Sequence, residues 1–389
     1  MGNAMLSEQD IDMLAASEEQ HFLASCSGLI HNPVKCVEKL KERYPEDKVG
    51  DIAGLLEQRN TARTKFSKAR EMFFTGEGLE QSTSEEVSLF KSQQYFKGAE
   101  CVDLCCGIGG TTIGMARDTA SVTAQDIDPV HLKMAEYNVR LYFPQSGCTF
   151  VRGDTTADIP EGDVYHFDPS RRKGTKRAFD PEEYIPPLST VDAILKKSPD
   201  VIVKVSPLFN IGESEECSVD IISFRGEVKE ILLCYGRFNT QGTRAVILPE
   251  KMILEQNPQA EEQAGSDVKR YMYDPDPAVV KGGLTGECAK ELSLSVIAPG
   301  IRYMTSDEYT ESPMVKAFEV LEVFPFSYRH VNRYFKRNSI GNISVKCKDS
   351  FIKTGSITKK LKPKGKGSAA LFYIEREGDD RMFIVASSL

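Results

Sequence analysis

Five short segments carry residue types at spacings that could do chemistry. Val102-Asp103-Leu104-Cys105-Cys106-Gly107-Ile108-Gly109-Gly110 reads as a strand running into a glycine-rich turn and then a helix. Glycines let the backbone pass close to a ligand, and the amides that open the helix point at it. A dinucleotide fingerprint would need a third glycine three positions after Gly109, and Thr112 stands there. Asp103 suits the amino group of a methionine moiety. Together with Cys105, Gly107 and Gly109 it implies an adenosyl sulfonium cofactor, S-adenosyl-L-methionine.

The next two segments extend that pocket. Thr123-Ala124-Gln125-Asp126-Ile127-Asp128-Pro129 ends a second strand, where Asp126 can accept both ribose hydroxyls of a nucleoside. Ile127 lies beside it, and Asp128 is the residue type that caps a helix opened by proline. Val151-Arg152-Gly153-Asp154 ends a third strand and offers Asp154 to the adenine amino group.

The last two segments concern the reaction. In an open parallel sheet the loops at the carboxyl ends of the strands line the ligand crevice. Tyr165-His166-Phe167-Asp168-Pro169-Ser170-Arg171-Arg172 therefore brings Asp168 to the sulfonium, with Pro169 behind it. A carboxylate there can accept a hydrogen bond from an attacking nitrogen, while Arg171 and Arg172 can grip a phosphate. Val203-Lys204-Val205-Ser206-Pro207-Leu208 supplies Lys204, which either pairs with Asp168 or meets a substrate phosphate. Methyl transfer from a sulfonium is an in-line displacement with an excellent leaving group. The protein has mainly to align the nucleophile, exclude water and take up a proton.

Positioning these residues takes strands separated by crossover helices. Strands are expected at Glu100–Cys105, Ser121–Ile127, Cys148–Gly153, Val164–Asp168, Val201–Ser206, Glu230–Tyr235 and Arg244–Leu248, with helices at Thr111–Arg117, Pro129–Tyr142 and Tyr184–Lys197. Seven strands, the last two antiparallel, suit a Rossmann-like class I methyltransferase sheet better than a six-stranded dinucleotide fold. Ahead of them, Ser7–Ser25, Pro33–Tyr44, Val49–Met72 and Ser84–Tyr95 carry helical periodicity. After Pro249 the pattern weakens until a helix-like stretch at Ala278–Leu292.

Composition narrows the class. No apolar run approaches the ~20 residues of a membrane-spanning helix, and the N-terminus lacks a secretory pattern, which argues for the cytoplasm. Ten cysteines without a CxxC pair and five scattered histidines suit reduced core thiols, and no metal is expected. The net charge of -8 is uneven. Between Ser327 and Arg376 thirteen basic residues face only Asp349 and Glu375, a balance of +11 that leaves -19 for the remainder. An acidic body with one basic module points to a polyanion partner. Arg329, Arg333, Lys336, Arg337, Lys359, Lys360, Lys362 and Lys364 are the candidate RNA contacts, with Tyr328, Tyr334 and Phe335 interleaved for base stacking.

Leu79-Glu80-Gln81-Ser82-Thr83-Ser84-Glu85, the Asp168 and Lys204 segments, Tyr273-Asp274-Pro275-Asp276-Pro277-Ala278-Val279-Val280-Lys281 and the basic tail occur in this order. Together they resemble the bacterial methyltransferases that end in a THUMP-like domain. The resemblance implies a helical N-terminal domain (1–95), a methyltransferase domain (96–250), a small ferredoxin-like α+β domain (251–322) and a C-terminal THUMP-like α+β domain (323–389). It also implies that Gln81, Ser82 and Ser84 contact the cofactor and that the acceptor is a nucleotide in tRNA or rRNA. The core is similar to trimethylguanosine synthases, from which Ser170, Arg171 and the absence of tryptophan depart. A protein or small-molecule methyltransferase and a non-catalytic RNA-binding scaffold are the competing readings.

Overall fold

A computed structural model describes residues 6–173, 176–177, 180–212, 216–257, 265–348, 352–376 and 380–389. The chain forms two compact units, residues 1–219 with 229–241 and residues 220–228 with 242–389.

The first unit opens with α1 (Glu8–Leu14), α2 (Ser17–Ser27), α3 (Pro33–Lys41) and α4 (Glu46–Ala62). The expected single helix Ser7–Ser25 is broken at Ala16, whose extended backbone starts α2 afresh. The expected Val49–Met72 helix stops at Ala62. Beyond it the chain doubles back, and buried Arg59 donates to the carbonyls of Met72 at 2.8 Å and Glu71 at 2.9 Å. α5 (Gly76–Gln81) and α6 (Glu85–Lys91) follow, with a turn of π-helix completing the segment expected to be helical to Tyr95.

The sheet of this unit takes β1 (Glu100–Leu104), β2 (Ser121–Asp126), β3 (Cys148–Arg152), β4 (Val164–Phe167), β5 (Val201–Val205) and, after β6 (Ser218–Phe224), β7 (Glu227–Cys234). The spatial order is β3-β2-β1-β4-β5-β7. All these neighbours are parallel except β5 and β7. Crossovers run through α7 (Gly110–Asp118), α8 (Pro129–Tyr142) and α9 (Val191–Leu195). β1 is flanked by β2 on one side and β4 on the other, so the winding reverses there and the carboxyl ends of β1, β2 and β4 open a crevice.

Two expectations in this region are corrected. The helix expected over Tyr184–Lys197 is only α9 preceded by short 3-10 turns, since Pro186 and Pro187 interrupt it. β6 went unnoticed because Ser218, Asp220 and Ser223 break its apolar run, yet every residue of the strand is buried. Asp220 is satisfied there by a bidentate pair with Arg244 at 2.7 and 2.5 Å.

The second unit contains the hairpin β8 (Thr243–Leu248) and β9 (Met252–Glu255). It continues with β10 (Tyr271–Pro275), α10 (Pro277–Lys281), α11 (Thr285–Glu291), β11 (Ser295–Val296), β12 (Met304–Ser306), β13 (Val315–Pro325), α12 (Tyr328–Arg337), β14 (Ile340–Lys346), α13 (Thr354–Thr358), β15 (Gly367–Glu375) and β16 (Arg381–Ser388). The expected Ala278–Leu292 helix is two, split at Gly282-Gly283, where Gly283 has φ +69°. One seven-stranded sheet runs β11-β12-β10-β13-β16-β15-β14. The boundary expected at 322/323 falls inside β13, which pairs with β10 along its first half and with β16 through Pro325. The regions expected as separate ferredoxin-like and THUMP-like domains thus share a sheet. Among the described residues no helix is long and apolar enough to cross a membrane.

In the first unit α6 lies directly on α7. Gly114 allows this: a Cβ there would collide with the Ser88 carbonyl, and the Gly114 amide donates to Ser88 Oγ at 2.9 Å. Gly114→Ala is expected to cost about 1–3 kcal/mol through forced separation of the two helices, read as a lower denaturation midpoint with an unchanged m-value.

Candidate active site

The turn after β1 holds three left-handed residues, Cys105 (φ 61°), Gly107 (φ 54°) and Gly109 (φ 84°). Asp126, at the tip of β2, ties this turn to the next strand. Its Oδ2 accepts from the Gly107 amide at 2.8 Å and its Oδ1 from the Asp128 amide at 2.9 Å. Burial raises the Asp126 carboxyl, and the two amides work against that rise. Asp128 caps α8 through the amides of Val130 and His131.

A cleft of about 410 Å³ opens over this turn. Of the expected cofactor contacts, Gln81, Ser82, Asp103, Cys105, Gly107, Asp126, Ile127 and Asp154 line it, as does Asp168. Ile127 leaves 61% of its surface exposed, an apolar platform beside Asp126. Asp154 accepts from the amide and hydroxyl of Thr156, and the hydroxyl bond contributes most to lowering its carboxyl. Ser84 and Gly109 are not among the lining residues. Ser84 stands at the start of α6, and Thr83 faces the cleft in its place. Gly109 packs on α8, where a Cβ would meet Ala135 Cα at 3.1 Å.

Asp103 is less open than its motif implies. It is 1% exposed, with Oδ1 2.8 Å from His166 Nδ1 and Oδ2 accepting from Thr112 at 2.5 Å. A carboxylate has about four acceptor sites, so an ammonium can still be taken at the cleft edge. His166 continues inward. Its Nε2 lies 3.3 Å from the Lys91 ammonium, which can only donate, so the ring's proton sits on Nδ1 toward Asp103.

Lys91 is wholly buried, as is its partner Glu230 on β7, 3.0 Å away. Glu230 also lies 4.0 Å from Lys204 and accepts from Thr83 Oγ1 at 2.9 Å. Lys204, 5% exposed, donates to Asp168 Oδ2 at 2.7 Å and to the Gln81 carbonyl at 2.9 Å. Of the two roles considered for Lys204, this geometry is pairing with Asp168. Burial would raise the Glu230 carboxyl, but the charges of Lys91 and Lys204 prevail and hold it at about 2. A continuous polar chain therefore links Asp103 to Asp168 through His166, Lys91, Glu230 and Lys204.

Neither Pro169, which is buried, nor Arg171, which is half-buried, is among the residues that line the cleft, and the Arg172 side chain lies outside the described residues. Ser170 pairs with Ile185 by two backbone hydrogen bonds of 2.9 Å. This brings Tyr184, Ile185, Pro186 and Pro187 into the cleft lining. Sequence reasoning also missed Lys65, which donates to the carbonyls of Leu79, Glu80 and Ser82 at 2.7 to 3.2 Å and so closes α5. Burial lowers it to about 8. The one usable signal in this buried set was the imidazole of His166 inside the apolar run Val164-Tyr165-His166-Phe167; Glu230, which follows Lys229, carries none.

In the second unit Arg329, Arg333, Lys336 and Arg337 are exposed on α12, and Lys359, Lys360, Lys362 and Lys364 are exposed on the loop after α13. Asn332 joins the two, donating to the Lys360 carbonyl at 3.1 Å and accepting from the Lys362 amide at 2.7 Å. Phe335 is corrected to a core residue, since it is fully buried with Val331 against Leu371 and Val385. Tyr328 and Tyr334 are half-buried, in edge contact with Phe326 and Phe324. Lys346 and Lys348 both pair with Asp274.

Residues 99–207 match the family model for RNA cap guanine-N2 methyltransferases, and residues 315–387 match the THUMP domain-like family. Proteins of Mycobacterium tuberculosis strains CDC 1551 / Oshkosh and ATCC 25618 / H37Rv, each described as an uncharacterized S-adenosylmethionine-dependent methyltransferase, are 26% identical over 301 residues. These alignments cover 75% of this chain and 81% of theirs. A crystal structure from Porphyromonas gingivalis W83, assigned provisionally to the methyltransferases, has a TM-score of 0.75 at 18% identity and spans 95% of this chain and 98% of its own. It supports the fold. The cleft suits S-adenosylmethionine: a left-handed turn allows close approach, Asp126 keeps acceptor capacity for ribose hydroxyls, and Ile127 offers an apolar face.

Asp126→Ala is expected to weaken S-adenosylmethionine binding by roughly ten-fold or more, measured by calorimetry. Glu230 makes a second prediction. Its carboxyl lies at about 2 when folded against an ordinary 4.5, so its stabilisation is complete above about 4.5 and fades as pH falls toward 2. Glu230→Gln should lower stability by roughly 3–5 kcal/mol at neutral pH. It should also flatten the stability curve across that acid window in chemical denaturation.

Proposed function

We propose that this chain, a class I S-adenosylmethionine-dependent methyltransferase with a THUMP-like C-terminal domain, methylates a nucleotide of structured RNA, tRNA or rRNA. Asp168 carries the reading: a carboxylate on the cleft at the end of β4, with Oδ2 held by Lys204 at 2.7 Å. S-adenosylmethionine supplies a methyl group on a sulfonium, whose departure needs no general acid.

The chain's own work is alignment, exclusion of water and uptake of a proton. The glycine turn, Asp103 and Asp126 would hold the methionine and ribose parts, with Asp154 toward the adenine. Asp168 accepts a hydrogen bond from the attacking nitrogen and orients its lone pair. Lys204 keeps that carboxylate from rotating away, and buried Pro169 stiffens the loop behind it. Arg171, half-buried nearby, is a partner for a phosphate.

Support for RNA as acceptor is the exposed basic set on α12 and its tethered loop. Phosphate contacts of this kind give affinity rather than sequence choice. The match of residues 99–207 to RNA cap guanine-N2 methyltransferases favours a base nitrogen as the methyl acceptor. The match of residues 315–387 to THUMP-like domains supports the RNA role of the second unit.

Labelled methyl transfer from S-adenosylmethionine into a lysate from cells lacking the protein tests the reading. Label is expected in a fraction destroyed by ribonuclease, and label confined to protein or small molecules after digestion overturns it. Asp168→Asn should slow transfer by roughly 10²-fold or more, with cofactor affinity nearly unchanged. Lys359→Glu combined with Lys362→Glu should weaken binding to tRNA or rRNA fragments across sequences and reduce the salt slope by about 1 per lost phosphate contact.

A further inference from the structure

The buried polar chain of the first unit contains one carboxylate that the transfer chemistry above does not use. Glu230 is 2% exposed and is not among the residues lining the cleft. It nevertheless stands between two buried ammonium groups, Lys91 at 3.0 Å and Lys204 at 4.0 Å. Lys204 is the side chain that grips Asp168, and the same ammonium accepts no other geometry lightly, because it also donates to the Gln81 carbonyl. Thr83, on the cleft wall next to Ser82, donates to Glu230 directly. One carboxylate thus faces both the lysine behind Asp168 and the segment that walls the cleft.

Buried charges hold their places only when paired and hydrogen-bonded. With Glu230 neutral, Lys91 and Lys204 would share a low-dielectric interior with Asp168, itself 26% exposed in its side chain, as the nearest carboxylate to Lys204. Without the carboxylate behind it, Lys204 loses one of the two anions that fix its ammonium, and its grip on Asp168 loosens whether or not Lys91 is charged.

We propose that Glu230 is a positioning residue of the methyl transfer, holding Asp168 through Lys204 and the Gln81-Ser82-Thr83 wall through Thr83 in one arrangement. The inference rests on the reading of Asp168 as the carboxylate at the reacting centre.

The test uses the full chain, methyl-labelled S-adenosylmethionine and the macromolecules of a lysate from cells lacking the protein, so it does not require the acceptor to be RNA. Glu230→Gln keeps the side chain's shape without its charge. The double variant Lys91→Met with Glu230→Gln leaves Lys204 balanced by Asp168, and so recovers most of the stability that the single variant loses. Both are expected to transfer roughly ten-fold or more slowly than wild type, with the Kd for S-adenosylhomocysteine within about three-fold and faster amide exchange at residues 79–84. Transfer that recovers together with stability in the double variant makes Glu230 a structural counter-ion and overturns the proposal, as does an unchanged rate in the single variant. Should neither variant fold, Thr83→Val keeps every charge; a several-fold slower rate at full stability supports the proposal, and a wild-type rate overturns it. Asp168→Asn is run in parallel. If it transfers normally, the reading of Asp168 fails and takes the proposal with it; if it is inactive while the Glu230 variants are normal, the Glu230 inference alone falls.

Discussion

Two buried lysines, Lys91 on α6 and Lys204 on β5, must be neutralised, and one glutamate on β7 meets both. The low dielectric that makes this contact strong makes an unpaired member of it intolerable. Each partner therefore constrains the element that carries it. Lys91 fixes α6, Lys204 fixes β5, Thr83 fixes the segment between α5 and α6, and His166 passes the constraint to Asp103 on β1. The carboxylate proposed at the reacting centre and the one beneath the glycine turn are thus parts of one polar structure that crosses four strands.

The N-terminal helices belong to this arrangement. α6 packs on α7 where Gly114 leaves room, and Ser88 donates to the Thr111 carbonyl at 2.9 Å. Lys65 closes α5 by collecting three carbonyls, which sets the Gln81-Ser82-Thr83 segment against the cleft. Buried Asn138 on α8 bonds the backbone of Phe73 and the carbonyl of Ile108, joining the region before α5 to the glycine turn itself. Residues before β1 thereby supply one wall of the cofactor cleft.

Charge is sorted in the second unit by a related rule. Lys346 and Lys348 are spent on Asp274, which is 8% exposed and needs partners. The arginines and lysines of α12 and the 359–364 loop are exposed instead, Lys360 with its ammonium over the Tyr328 ring, and Asn332 holds the loop against the helix. Gly367 donates to the Ser339 carbonyl and Lys364 to that of Ile340, so the glycine- and lysine-rich run is tied down at both ends. A basic surface with a fixed backbone loses less entropy on meeting a polyanion than a free tail would.

Local patterns in the sequence determined the strand–turn–helix of the glycine loop, the strands that lead to Asp126, Asp154 and Asp168, the α8 cap at Asp128 and the basic run near the C-terminus. Each of these depends on neighbours within a few residues: apolar alternation, glycine at left-handed positions, a carboxylate ahead of proline. Glu230, Lys91 and Lys65 could not be read that way, because a buried charge is recognised by its partner, and these partners lie 139 positions apart in Lys91 and Glu230. The same holds for β6, whose Asp220 looks out of place until Arg244 arrives, and for Phe335, whose charged neighbours disguised a core position. Sequence spacing set which groups were available for chemistry; tertiary structure decided which of them became solvent-facing and which became counter-ions, since desolvation and pairing depend on distance in space and not along the chain.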